Sequence, residues 1–286
     1  MSVAQLSYFH EPTSTVTYLV WDEASRQAAV IDPVLDYEPK GAKVSHPSAD
    51  QILRDLEAHG LRLVYVLETH AHADHLSAAD YLRGRTGAKV VIGAHIRDVQ
   101  RHFGPLFGAA DVRPDGAVFD VLVAEGDRLS LGDTGISVLH TPGHTPACVT
   151  YLIEDAAYVG DTLFMPDYGT ARADFPGGDA ATLYRSIRKI LDLPPHTRIF
   201  VGHDYLTTER QSHVWETSVA DQRAGNVHVA DGVTEAEFVA KREARDATLP
   251  PPVLILPSLQ VNIRAGALPP PETDGRVYLK LPVTVV

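Results

Sequence analysis

The stretch Glu68-Thr69-His70-Ala71-His72-Ala73-Asp74-His75 puts three histidines and one aspartate within six positions of a 286-residue chain that has 14 histidines in all. Imidazole and carboxylate together suit Zn, Fe or Mn. In an extended segment alternate side chains share one side, so His70, His72 and Asp74 are expected to converge on one point. His75, one step out of phase and at the entry to a helix-like run, is expected to face a neighbouring point. A plainer reading makes Asp74 a helix N-cap and the histidines strand-end surface. That reading serves for one isolated histidine and poorly for the whole H-x-H-x-D-H string.

The elements that must position these residues follow a pattern. Residues 61–67 form a nearly continuous apolar run, read as a strand buried on both faces, and residues 77–85 read as a helix. Three later strand-like runs also end in a short turn that carries a histidine or an aspartate. These are His144 in His140-Thr141-Pro142-Gly143-His144-Thr145-Pro146, Asp161 in Gly160-Asp161-Thr162, and His203 in Gly202-His203-Asp204. Strand ends and the loops after them are where a layered sheet assembles a site. Read alone, Asp161 is open to a turn role, His144 to a rigid surface turn and His203 to a satisfied strand-end position. His140 competes with His144, but its place inside the preceding strand favours a structural role. The four elements together, in order, favour a metal site.

Elsewhere residues 15–21 and 27–34 read as strands. Ser48 is expected to cap a helix over 49–57 that Gly60 stops. Residues 89–92 read as a strand, 104–119 as loop, and 128–131 with 136–139 as a hairpin around Gly132-Asp133-Thr134-Gly135. Residues 149–153 and 156–159 pair around Glu154-Asp155. A helix over 180–191 buries Leu183, Ile187, Ile190 and Leu191. Thr234 and Glu237 form a capping box for a helix to about Asp246, and 277–281 read as a last strand. Strands with interspersed helices suggest a layered α/β protein. Residues 1–205 are expected to be the catalytic domain and 206–286 an extension packed on it.

The length allows one large domain or a domain with an extension. Hydrophobic residues at 44% and charged residues at 22% are ordinary for a soluble globular chain. A formal net charge of -12 argues against general nucleic-acid or anionic-membrane binding, though not against a small anionic substrate. The single cysteine, Cys148, excludes an intrachain disulfide and a Cys-rich zinc site. It lies in an apolar run and reads as a small core residue. Residues 1–8 lack a basic region and a long apolar run, so no signal peptide is expected. No stretch has transmembrane length without charges, and a cytoplasmic location is the expectation.

The ordered set H-x-H-x-D-H, P-G-H-T, G-D and G-H-D-Y runs from the start of the chain to Tyr205 and resembles the metallo-β-lactamase superfamily. The resemblance implies an α/β fold of the αββα sandwich type, with metal between the two sheets and a C-terminal extension. By superfamily pattern one metal would use His70, His72, His144 and Asp161, and a second Asp74, His75, His203 and a shared Asp161. Residues 69–76, 141–150, 160–163 and 182–187, with Ala171-Arg172-Ala173-Asp174-Phe175 and His203-Asp204-Tyr205, are more closely similar to persulfide dioxygenases. Pro257 to Gly266 resembles a bacterial branch of that family.

That closer resemblance implies one Fe(II) per chain, or alternatively Zn, held by His70, His144 and Asp161. Two histidines and one carboxylate leave positions open, as O₂ chemistry at non-haem iron needs. The implied reaction oxidises glutathione persulfide with O₂ to sulfite and glutathione. His72, Asp74, His75 and His203 would then orient ligands and hydrogen-bond waters, or hold a second metal. Arg172 and Tyr205 are the expected substrate contacts, with Arg264 a weaker one; Arg172 is equally open to pairing Asp174 or Asp167. The expected partners are glutathione persulfide, O₂ and a second copy of the chain in a homo-oligomer, a dimer, with neither nucleic acid nor membrane. The rival is a thioester hydrolase of the glyoxalase II type, which usually has glycines after D-H where this chain has Leu76-Ser77-Ala78-Ala79. A lactonase on the same scaffold is a further enzymatic reading. The intact metal set and the acidic charge count against a non-enzymatic sensor.

Overall fold

The structure, a computed structural model, describes residues 2–285. Met1 and Val286, the outer ends of the two expected segments, lie outside them. Alternation along Thr15–Asp22 shows how the layers arise. Val16, Tyr18 and Val20 face an apolar layer between two sheets, while Leu19 and Trp21 face helices. All eight residues are buried, the pattern of a strand covered on both sides.

The first sheet runs in the order Val3–His10, Thr15–Asp22, Gln27–Ile31, Arg62–Leu67, Lys89–Gly93, Val121–Val123. From Gln27–Ile31 onward its neighbours are parallel. Parallel pairs need crossovers, and the helices Pro47–Ala58, Ala79–Thr86 and Ile96–Leu106 supply them. The second sheet runs Arg128–Leu131, Thr134–His140, Val149–Ile153, Ala156–Tyr158, Arg198–Phe200, Glu216–Ser218. Its one parallel pair, Ala156–Tyr158 with Arg198–Phe200, is crossed by the helix Ala180–Leu191.

Leu67 and Val91 of one sheet meet Val138, Tyr151 and Phe200 of the other in the middle layer. Complete burial of Leu67 contributes roughly 1.5–3 kcal/mol and fixes the strand end where the histidine string begins. One outer layer holds the three crossover helices and the helix Ile255–Asn262. The other holds Ala180–Leu191 and, through Phe238, the helix Glu235–Asp246. This is the αββα sandwich that the family resemblance implied. The segment beyond Tyr205 supplies the last strand of the second sheet as well as helices on both outer faces.

Several local expectations differ from the structure. The strand expected over 27–34 breaks at Asp32, whose φ of 49° leaves the strand region. The strand Val34–Glu38 after it joins a separate three-stranded sheet with Lys43–Ser45 and Leu76–Ser77. That pairing also takes Ser77 from the expected helix. Ser48 is not the N-cap. The helix starts at Pro47, and the backbone N–H and hydroxyl of Ser48 donate to Asp36 at 3.0 and 2.9 Å, so a remote carboxylate serves the first turn. The helix Ile96–Leu106 runs into the expected loop; Ile96, Val99 and Phe103 bury at helical spacing, and Pro105 sits at its end. Residues 277–281 form no strand, because the Gln260 side chain, not a neighbouring strand, pairs with both backbone groups of Lys280 at 2.9 and 2.8 Å.

Candidate metal centre

Past Leu67 the chain leaves the strand and bends, so the alternation expected for residues 70–74 does not hold. His70 groups with His144 and Asp161, while His72 groups with Asp74, His75 and His203. Within each group one possible ligand atom per residue lies within 4.8 Å of the others. His70 Nε2 and His144 Nε2 stand 3.8 and 3.7 Å from Asp161 Oδ2. Asp161 turns its other oxygen, Oδ1, to His203 Nε2 at 3.3 Å, and that same nitrogen is 3.3 Å from Asp74 Oδ2. Asp161 therefore lies between the two groups.

Two glycines let these turns approach. Gly160 has φ 51°, and a Cβ there would stand 2.4 Å from the Thr69 hydroxyl. At Gly143, φ 131°, a Cβ would stand 2.3 Å from the backbone of Leu183. Tyr151 ties the second sheet to the string by donating its hydroxyl to Glu68 O at 2.9 Å.

Hydrogen bonds select which imidazole nitrogen faces the centre. Thr69 donates its amide and hydroxyl to Asp32 at 2.7 and 2.8 Å, so its oxygen is left to accept from His70 Nδ1 at 3.0 Å. His144 Nδ1 donates to the Arg172 carbonyl at 2.7 Å. Both rings thus direct an Nε2 lone pair toward Asp161, as a ring held from behind does at a metal. His72 Nε2 lies 3.1 Å from Asp32 and 3.5 Å from Glu68. Asp32 entered the sequence reading only as the end of a strand; the available signal was a carboxylate ending the strand beside the one that delivers the histidines.

The donor set fits a metal on an observation of its own. Buried polar atoms normally find partners, yet His70 Nε2, His75 Nε2, His72 Nδ1 and His203 Nδ1 have no hydrogen-bond partner, and His203 Nε2, Asp74 Oδ2 and Asp161 Oδ1 meet only one another. Burial, then the neighbouring imidazoles, hold His70 well below the usual histidine range. Burial likewise brings His75 down to about 4. Both rings are neutral near pH 7 and present lone pairs. At His203 burial also lowers the pKa, but Asp161 and Asp74 outweigh it and the net shift is upward. For Asp74 burial is outweighed by His203 and His75, and the carboxyl stays ionised.

A cavity of about 630 Å³ opens onto Asp74, His144 and Asp161. Arg172 and Tyr205 both line it. The Arg172 guanidinium is engaged, bidentately with Asp174 at 2.5 and 2.6 Å and with the Pro250 carbonyl at 2.7 Å. Tyr205 stacks on His203 at 5.6 Å between centroids, and burial, then Asp74 and Asp161, keep its phenol protonated. Arg264 does not line the cavity: it is buried and pairs Asp111 at 2.7 and 2.8 Å. The sequence reading missed Arg242 and Arg245, which also line the cavity. Arg242 is buried against Asp246, whereas Arg245 is exposed and has no carboxylate partner among the described residues. Their spacing on a capped helix was the available signal.

Residues 10–203 match the Metallo-beta-lactamase superfamily. The chain belongs to the metallo-β-lactamase superfamily. Within it the chain is 52% identical to a Probable metallo-hydrolase of Burkholderia pseudomallei, covering 98% of each protein. It is 44% identical to Glyoxylase B2 of Dictyostelium discoideum, over 98% of this chain and 97% of that one. It is 34% identical to human Persulfide dioxygenase ETHE1, mitochondrial, over 93% and 90%. The crystal structure of ETHE1 from Myxococcus xanthus superposes with a TM-score of 0.74 at 34% identity, covering 93% of this chain and all of that one. Three bacterial relatives named Beta-lactamase hydrolase-like protein are longer, and this chain spans about two thirds of each. The His/Asp cluster fits a metal site of this superfamily. Among the described residues no helix is long and apolar enough to cross a membrane.

Proposed function

We propose that this superfamily member is a persulfide dioxygenase, with one Fe(II) held by His70, His144 and Asp161. The observation that carries the reading is the separate grouping of two imidazoles and one carboxylate beside a cavity. When bound, a ferrous ion in such a set supplies the open positions and the redox capacity that O₂ chemistry requires. The reaction is GSSH + O₂ + H₂O → GSH + SO₃²⁻ + 2 H⁺. The outer sulfur loses four electrons, O₂ takes them, and the sulfur–sulfur bond breaks with its pair going to the leaving thiol.

The chain's own residues have defined tasks in this reading. Thr69, with Asp32 behind it, and the Arg172 carbonyl hold the two imidazoles in one orientation. Tyr205 offers a protonated phenol at the cavity wall. Arg172 stiffens the wall and faces the substrate, and Arg245 offers a free guanidinium to a substrate carboxylate, an interaction strengthened by charge. About 630 Å³ falls within the range of small-ligand pockets and suits a tripeptide-sized thiol. The apolar part of the wall, with Phe164 and Leu254, limits water around the reacting sulfur.

A second reading is favoured by the four-residue group His72, Asp74, His75 and His203 and by the names of the 52% and 44% identical relatives. It is a hydrolase with a second metal, acting on a glutathione thioester. Oxygen uptake with glutathione persulfide, run beside a thioester hydrolysis assay and elemental analysis of anaerobically purified protein, separates the two. The dioxygenase reading expects about one iron per chain and persulfide-dependent O₂ consumption. Two zinc ions per chain with thioester turnover and no O₂ uptake would replace it with the hydrolase.

A further inference from the structure

The helix Ile255–Asn262 ends 187 residues beyond His75 in sequence and is in direct contact with the histidine string in space. Its last residue, Asn262, is 4% exposed. The Asn262 side chain donates from Nδ2 to the backbone carbonyls of His72 and His75, both at 2.8 Å, and accepts the Ser77 backbone N–H on Oδ1 at 2.8 Å. The backbone partners fix the orientation of this amide: two carbonyls only accept, and one N–H only donates. The residues around it leave no slack. Ile263 O accepts from Gln100 at 3.0 Å, and Leu259, Val261, Ile263 and Ala265 are buried in the outer apolar layer. Gly266, φ 85°, lies so close to residues 77–80 that a Cβ would meet their backbone at 2.9 Å.

We infer that Asn262 is a positioning residue of the metal centre, acting through the backbone of His72 and His75. The loop from residue 68 to 75 has no ladder partners of its own at these carbonyls. One amide closes it like a staple, setting where the two imidazoles stand relative to Asp74 and His203. The C-terminal helix is thereby part of the site, whichever reaction the centre runs. Groups that orient metal ligands from behind typically change affinity by about 10–100-fold when removed.

The test replaces Asn262 by aspartate, which keeps shape and volume but sets a carboxylate oxygen against two carbonyl oxygens, and by serine, which keeps one small donor. Ile263→Ala serves as a control that loosens the buried packing next to Asn262 while keeping its amide. Metal retention against a chelator and the visible absorption of the Co(II)-substituted protein are read together with thermal unfolding of the metal-free form. N262D is expected to lose metal about 10–100-fold more readily and to shift the Co(II) bands, with N262S intermediate and I263A near wild type in both. Equal metal retention and an unchanged Co(II) spectrum in N262D would overturn the inference. Failure of both Asn262 variants to fold while I263A folds would also overturn it, in favour of a purely structural role. Neither readout depends on turnover, so the outcome stands apart from the choice between dioxygenase and hydrolase.

Discussion

Acid should weaken this fold through one ring remote from the histidine string. His228 is 8% exposed, and its Nδ1 accepts from both the backbone N–H and the hydroxyl of Thr170 at 3.1 Å. Burial, then Arg242, Lys241 and Arg245 on the neighbouring helix, bring it down to about 4. The folded pKa lies below the unfolded value of about 6.5, so the unfolded chain binds the proton first. Stability from this group is complete above about pH 6.5 and is lost as pH falls toward the folded value. Linkage over that gap gives a loss of about 2.5 kcal/mol by pH 4.5, and about 2 after allowing for the exposed edge of the ring. That is a sizeable part of a typical total of about 5–15 kcal/mol.

Urea unfolding of wild type and His228→Gln at half-unit steps from pH 7.5 to 4.5 isolates the effect. Glutamine keeps a carbonyl that can accept from Thr170 but does not titrate. Groups whose titration the substitution leaves unchanged cancel in the difference. The wild type should lose about 2 kcal/mol relative to the variant between pH 6.5 and 4.5. Parallel curves across that window would show that the ring is not held neutral in the fold, and the reasoning from burial and the three cations would fail.

Asp161→Asn should lower metal affinity by more than the roughly 100-fold seen when only a group behind a ligand is lost, because Asp161 faces both groups; unchanged metal content by elemental analysis would remove it from the ligand set. Arg172→Ala should raise KM more than it lowers kcat, since it relaxes a cavity wall tied to Asp174 and Pro250; an unchanged KM would take Arg172 off the substrate wall. Burial pushes the Cys148 thiol up to about 12, so native protein at pH 8 should resist iodoacetamide and react only in denaturant, and rapid modification of folded protein would contradict that burial. Gly143→Ala should cost several kcal/mol and disturb metal binding together, because the added Cβ meets the Leu183 backbone next to His144; a variant with wild-type Tm would show that the turn can move.

What the sequence made legible were features written in neighbouring residues. Strands ending in a turn with a histidine or aspartate located His144, Asp161 and His203. The helices Ala180–Leu191 and Glu235–Asp246 were readable from an apolar stripe and from the Thr234/Glu237 capping box. The sorting of the ligands was not readable. Period-two alternation put His70, His72 and Asp74 together, but the chain bends after Leu67, so His72 joins Asp74, His75 and His203 while His70 faces His144 and Asp161. Asp32, 3.1 Å from His72 Nε2, comes from just past the end of another strand, and its only mark in the sequence is that it is a carboxylate closing that strand.

The same physical reason explains why the role of Asn262 could not be read from the sequence around it. A buried polar residue is tolerable only with its partners in place, and those of Asn262 are backbone groups of residues 72, 75 and 77. Backbone carbonyls carry no side-chain signature. The segment 257–266 therefore carries no local sign of that contact, with Ser258, Gln260 and Asn262 on a weakly apolar stretch. Asn262 is nevertheless buried, because the histidine loop offers it backbone groups that nothing else engages. That loop leaves the His72 and His75 carbonyls outside any sheet. Loop and C-terminal helix thus satisfy each other's backbone and amide groups, and the cost of removing either should appear at both.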